Sequence, residues 1–172
     1  MAILLSTPNL RAWYDESWTK RESDTTIFWQ AVFNEHFPAG QYLFAIQVPS
    51  VSSEKRANGA LFRRVVGQPR QIVMLWLEAK HAHEVAEAVD EEVLDAATLY
   101  FNGLLDDDTT DEVFVMSAIG PTFRLWLVKK DASLEPFHGN AKQNDKPQYL
   151  DAKTEAASTV FFDMVPTVLG KE

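Results

Sequence analysis

The sequence predicts an α/β fold in which helices pack on a mixed central sheet, and three observations carry that expectation. Segments of helical and strand periodicity alternate in the order helix, three strands, helix, two strands, helix. Ile72 to Glu78 is a continuous apolar run, the mark of a strand buried on both faces. The chain has 172 residues, 46% of them hydrophobic, with five Trp and eleven Phe. That length argues for one domain, 1–172, burying roughly 70% of the surface its unfolded form exposes. Strands, a crossover helix and further strands together specify a mixed sheet with helices on it.

Residues 1–22 read as an irregular N-terminal arm anchored by Trp13, Tyr14 and Trp18. Ser23 and Asp24 are good N-caps, and Ile27, Phe28, Ala31 and Val32 follow at helical spacing until Pro38-Ala39-Gly40 stops the helix. Tyr42 to Val48 alternates as a strand that Pro49 and nearby serines end. Ala60 to Val66 is a second strand, turned by Gly67-Gln68-Pro69 into the Ile72 to Glu78 run, so the two form a hairpin. Helical spacing returns from about Glu84 to Leu104, with Val85, Ala88, Val89, Val93, Ala96, Leu99 and Tyr100 on one side. Glu84, Glu87, Glu91 and Asp95 form an acidic, solvated side. Val113 to Ile119 and Thr122 to Val128 are strands split by Gly120-Pro121. A polar loop is expected over 129–148, then a last helix capped by Asp151 and kinked or ended by Pro166.

The formal net charge is -9. Nucleic-acid binders usually carry a basic patch, because phosphate neutralisation supplies most of their non-specific affinity. Weak, strongly salt-dependent binding of DNA or RNA is therefore the expectation, and a protein partner is the other. There is no cysteine, and the apolar start is interrupted by Pro8, Asn9 and Arg11 before it makes a signal-peptide core. An intracellular location, cytoplasm or nucleus, is expected. No run reaches the ~18 apolar residues of a membrane span.

Chemistry concentrates at Leu77-Glu78-Ala79-Lys80. Strict alternation puts Met74, Trp76, Glu78 and Lys80 on one face of the strand and Val73, Leu75, Leu77 and Ala79 on the other. A charge at the end of an apolar strand is costly unless paired or coordinated. Glu78 and Lys80 can satisfy each other as a structural ion pair. For a bare Glu-x-Lys that ion pair is the simpler reading, and coordination of a metal is the other. His81 and His83 offer two imidazoles, but no third ligand has zinc spacing. Phe123 and Trp126 read as core or sheet-face residues. No Gly-rich phosphate loop is present, and Ser17, Ser117 and Ser133 lack the strand-turn-helix setting of a nucleophile elbow.

Glu-x-Lys at the end of a buried third strand, after a hairpin and before a helix, resembles the PD-(D/E)XK, or restriction-endonuclease-like, nuclease superfamily. Gly40-Gln41-Tyr42, Val48-Pro49, Lys55-Arg56-Ala57-Asn58-Gly59, Ala118-Ile119-Gly120, Arg124-Leu125-Trp126, Leu134-Glu135-Pro136-Phe137 and Tyr149-Leu150-Asp151 resemble a group of mostly uncharacterised fungal proteins with that fold. These pieces span most of the chain, and their order is stronger evidence than any one of them. The resemblance implies an αβββαβ core from about Ser23 to Ile119, with an extra strand and a C-terminal helix.

It also implies metal-assisted phosphodiester hydrolysis, in which carboxylates hold Mg²⁺ and a lysine positions water or stabilises phosphate charge. Carried onto this chain, the acid is Glu78 and the lysine is Lys80. The aspartate expected at the start of the second strand falls in Arg56-Ala57-Asn58-Gly59, where Asn58 stands instead. An amide offers one neutral carbonyl oxygen in place of two charged ones. Gln47, again an amide, stands where a further upstream acid would fall, and Asp95 or Glu92 lies where the following helix supplies a polar residue. Lys55, Arg56, Arg63 and Arg64, with Arg70, form an expected basic rim. The expectation is a nuclease-like domain with an incomplete metal site, Mg²⁺ weak or absent, that is inactive or weak and acts by binding. Its rivals are an active Mg²⁺-dependent hydrolase of DNA or RNA with a relocated acid, and an intracellular interaction or effector domain.

Overall fold

The computed structural model describes residues 3–19, 21–49, 56–64, 71–86, 88–93, 95, 112–129, 131, 133–139 and 148–169. The turn expected at 67–69, and the expected helical stretch 96–104, lie outside them. The architecture is mixed α/β with a mostly antiparallel central sheet. Its elements are α1 (Pro8–Glu16), α2 (Glu22–His36), β1 (Tyr42–Pro49), β2 (Arg56–Arg64), β3 (Gln71–Lys80), α3 (helical at 86, 88–93 and 95), β4 (Glu112–Ile119), β5 (Thr122–Lys129), β6 (Leu134–Pro136), β7 (Leu150–Asp151) and α4 (Glu155–Leu169).

The sheet order is β1-β2-β3-β4-β5-β6, with β7 also paired to β5. β1, β2 and β3 are antiparallel neighbours, β3 and β4 are parallel, and β4, β5 and β6 are antiparallel. A parallel pair requires a crossover, and α3 lies on that connection. One face of the sheet is covered by α1, α2 and α4 through Leu10, Tyr14, Phe28, Trp29, Phe33, Phe161 and Met164, packed on Phe44, Leu75, Leu77, Phe114 and Leu125. Phe33 stacks on Phe44 with ring centroids 4.8 Å apart. The other face carries Ala60, Val73, Trp76, Val115, Trp126 and Val128 against Val93 of α3. Among the described residues no helix is long and apolar enough to cross a membrane.

Several expectations are corrected. The arm over 1–22 contains α1: Pro8 sits at its start, where no amide hydrogen is needed, and the Thr7 hydroxyl accepts from Leu10 N–H. Leu10 and Tyr14, one turn apart, are its buried stripe, while Trp13 and Trp18 remain partly exposed. α2 begins at Glu22, so Ser23 and Asp24 lie within its first turn. β2 starts at Arg56, because Arg56, Ala57 and Gly59 pair with Pro49, Val48 and Ile46. The polar stretch after Lys129 includes β6, whose Leu134 and Pro136 pair with Val128 and Trp126. Asp151 belongs to β7 and accepts from Tyr14 Oη–H at 3.0 Å, while Thr154 caps α4 through Ala157 N–H. α4 continues past Pro166 to Leu169.

The alternation expected along β3 fails at one point. Leu61 pairs with Leu75 but Phe62 with Val73, so Met74 is an extra residue. Such a bulge breaks the period of two. Met74 and Leu75 consequently both join the α2-side core, and Val73 shares the α3 side with Trp76.

Gly120, in the β4–β5 turn, has φ +57, and a Cβ there would lie 2.9 Å from Ala82 Cβ and 3.0 Å from the Ser17 carbonyl oxygen. Its N–H donates to Lys80 O at 2.9 Å and its carbonyl accepts from Trp29 Nε1 at 3.0 Å. Gly120→Ala combines left-handed strain with a clash against backbone. It is expected to cost about 2–4 kcal/mol, read as a lower midpoint in urea unfolding with the slope unchanged.

Candidate functional site

β3 ends at Lys80 beside the start of β2, and α2 and α3 reach that end from opposite faces. Asn58 is the hinge of the arrangement. Its Oδ1 accepts from Ala79 N–H at 2.6 Å, and its Nδ2 donates to Glu22 Oε1 at 3.0 Å. This is the amide orientation in which both contacts are favourable. Glu22 stands in the first turn of α2, where the helix N-terminus favours an acid.

Lys80 Nζ meets three carboxylates: Glu92 of α3 at 2.7 Å, Glu78 at 3.2 Å and Glu22 at 3.7 Å. Glu78 is the buried member, with 6% of its side chain accessible against 43% for Glu22 and 49% for Glu92. Burial pushes the Glu78 carboxyl up to about 7; Lys80 opposes this, and a hydrogen bond with Glu92 adds to it. Burial acts to lower the Lys80 pKa, but its bonds to Glu92 and Glu78 outweigh it and raise the pKa above the ordinary lysine value. Lys80 therefore stays charged, while burial favours the protonated form of Glu78 more than in a free carboxyl.

The structure thus brings Asn58, Glu78 and Lys80 together, with Glu22 linking Asn58 to Lys80. Glu92 reaches Lys80 from α3, while Asp95, further along that helix, is exposed. Gln47 lies on β1 between the partners of Gly59 and Ala57. The basic rim is corrected in part. β2 runs antiparallel to β3, so Arg63 and Arg64 pair with Ile72 and Gln71 at the far end of β3, roughly 25 Å of strand from Lys80. Lys55 and Arg70 lie outside the described residues, and Arg56 pairs through its backbone with Pro49. His81 Nδ1 accepts from His83 N–H at 3.2 Å and its Nε2 meets Glu84 at 3.3 Å, the contacts of a strand-helix junction.

The residues present do not, as arranged, fit Mg²⁺. That ion demands near-octahedral oxygen ligands at about 2.0–2.1 Å. The one carbonyl oxygen of Asn58 is neutral and already accepts from Ala79 N–H, and the Lys80 ammonium occupies the position between the carboxylates. Among the described residues no three His, Asp or Glu side chains are grouped to hold a metal.

Sequence reasoning missed Glu22, because nothing in the linear order ties the first turn of α2 to the ends of β2 and β3. It also missed a row of polar side chains running across the sheet from Glu78. Glu78 is level with Ser117 on β4, and Ser117 with Arg124 on β5. Both lie fully buried, against Asp90 of α3. Here a sign was available: Asp90 interrupts the inward positions Ala86, Val89 and Val93.

In comparisons with known proteins, no family model, no curated protein and no solved structure matches the chain.

Proposed function

We propose that the chain is a restriction-endonuclease-like, PD-(D/E)XK domain that has lost its metal site and acts by binding. One observation carries the reading: Asn58, Glu78 and Lys80 converge at the end of β3. The element order from α2 through β1, β2, β3 and α3 to a β4 parallel with β3 supports it. Where the superfamily pattern implies a metal-holding aspartate, Asn58 braces backbone and Glu22 instead. Lys80, free to face phosphate in an active site, is neutralised here by three acids.

The test is incubation of the protein with plasmid and single-stranded DNA and RNA in Mg²⁺ or Mn²⁺, with a chelator control. No metal-dependent cleavage is expected. Robust cleavage abolished by Glu78→Ala would replace this reading with that of an active Mg²⁺-dependent nuclease using Glu22 or Glu92 as the relocated acid. In mobility-shift titrations the -9 net charge and the acids around Lys80 leave only weak DNA binding, falling steeply with salt. Sub-micromolar affinity at physiological salt would show nucleic acid, not protein, to be the partner.

A further inference from the structure

Asp90 is 1% exposed and lies on the side of α3 that faces the sheet. Its Oδ1 accepts from Tyr149 Oη–H at 2.6 Å and from Ser117 Oγ–H at 2.8 Å. Its Oδ2 lies 3.7 Å from Arg124 Nη1, a guanidinium that is itself fully buried and 3.8 Å from the centre of the Trp126 ring. Trp126 Nε1 donates to Ser117 Oγ at 3.2 Å, and Arg124 Nη2 donates to Gln148 Oε1 at 3.0 Å. Burial and the adjacent Asp90 charge raise the Tyr149 pKa, so its hydroxyl remains a donor across the working pH range. One carboxylate thus fastens α3 to β4, β5 and the 148–149 segment.

Residues two apart on a helix point about 200° apart. Asp90 and Glu92 therefore leave α3 on opposite flanks of the buried strip Ala86, Val89 and Val93. Asp90 goes toward β4 and β5, Glu92 toward Lys80 on β3. Turning α3 enough to withdraw Glu92 from Lys80 would drag a buried carboxylate out of its hydroxyl donors, which is costly. We propose that Asp90 is a positioning residue for the candidate site, fixing the rotation of α3 through Tyr149, Ser117 and Arg124 so that Glu92 lands on Lys80. The inference rests on reading the cluster around Lys80 as the functional site. It adds that the site is held from the far half of the sheet.

The test reads Glu78, which feels Lys80 on its own strand and Glu92 from α3, with Glu22 of α2 meeting Lys80 and the Asn58 amide of β2 bonded to Glu22 and Ala79. Its titration midpoint is measured by carboxyl carbon NMR in the wild type, Glu92→Gln, Tyr149→Phe, the double variant and Val128→Ala. Glu92→Gln removes an upward contribution and should lower the midpoint. Tyr149→Phe, which deletes one donor to Asp90 without changing ring size, should lower it in the same direction. In the Glu92→Gln background it should add nothing, because it acts through Glu92. Val128→Ala, a core truncation on the same sheet face, should leave the midpoint in place. Ser117→Ala is the replacement arm if Tyr149→Phe does not fold.

Independent, additive shifts from Glu92→Gln and Tyr149→Phe would overturn the proposal. So would a midpoint that Tyr149→Phe leaves unmoved, or that Val128→Ala moves equally. A midpoint unmoved by Glu92→Gln would overturn it as well, since no contact would be left to position. None of these readouts depends on nuclease activity, so the proposed function can fail while the positioning role stands, and the reverse.

Discussion

Asn58→Asp is expected to make both stability and chemistry respond to divalent metal. The new carboxylate keeps the bond from Ala79 N–H but loses the one Asn58 Nδ2 gives to Glu22, and it sets a second negative charge against that acid. In chelator the variant should be destabilised by about 1–3 kcal/mol. For a chain of this size that lowers the melting temperature by roughly 2–4 °C per kcal/mol. A Mg²⁺ or Mn²⁺ held by the new carboxylate and Glu78 would offset the repulsion, and at a hundred times its dissociation constant a bound ion returns about 2.7 kcal/mol. The wild-type chain, with its amide committed, should show little change on metal addition. Cleavage of plasmid or single-stranded substrate should appear only in the metal-loaded variant. Adding Glu78→Ala or Lys80→Ala should abolish it, because such residues act as a unit. A variant whose melting temperature ignores metal, and which cuts nothing, would mean that more than one ligand has been lost.

Lys80→Met is expected to be the most damaging isosteric change at the site, and its cost should depend on pH. Removing the ammonium leaves Glu78 buried without its counter-charge, which costs about 2–4 kcal/mol. Glu22 and Glu92, nearly half exposed, add little because water screens them. Burial pushes the wild-type Glu78 carboxyl up to about 7, above the ordinary value of 4.5 that it has in the unfolded chain. The native state therefore holds the proton more tightly, and this contribution is full below about 4.5 and lost as pH rises through 7. Without Lys80 the folded value moves higher, so the loss deepens and extends to higher pH. Urea unfolding should place the variant close to wild type at pH 5 and well below it at pH 8.5. An equal gap at both pH values would show that Lys80 does not neutralise Glu78.

The sequence made the framework legible where one periodicity held over a whole element. The apolar run ending in Glu78, the strands on either side of Gly120-Pro121, and the exposed acids Glu91 and Asp95 of α3 stand close to where they were expected, while Glu84 precedes the helix and Glu87 lies outside the described residues. The site was partly legible too, because Glu78, Lys80 and Asn58 sit at element ends that topology makes neighbours. Other features depended on tertiary pairing. Arg56 to Asn58 has the composition of a loop and becomes strand only because β1 supplies partners. Arg63 and Arg64 are near Asn58 in sequence, yet each step along β2 carries the chain away from Lys80. α1 is short and polar, and its two buried residues find their core only in α2 and β7. Glu22 is chemically ordinary until the fold places it between Asn58 and Lys80.

The extra residue at Met74 gives β3 two halves that are out of phase. Residues before it pair with β2 alone; residues after it must also satisfy the parallel register with β4, in which Glu78 pairs with Ser117 and Lys80 with Ile119. In an unbroken strand, a one-residue shift of register would turn every later side chain to the opposite face. Here the slack is taken up at Met74. Val73 and Trp76 share the α3 side although they are three residues apart, and Lys80 still meets Glu92 of α3, so the bulge works as an expansion joint that lets both ends of the strand bury the side chains they carry.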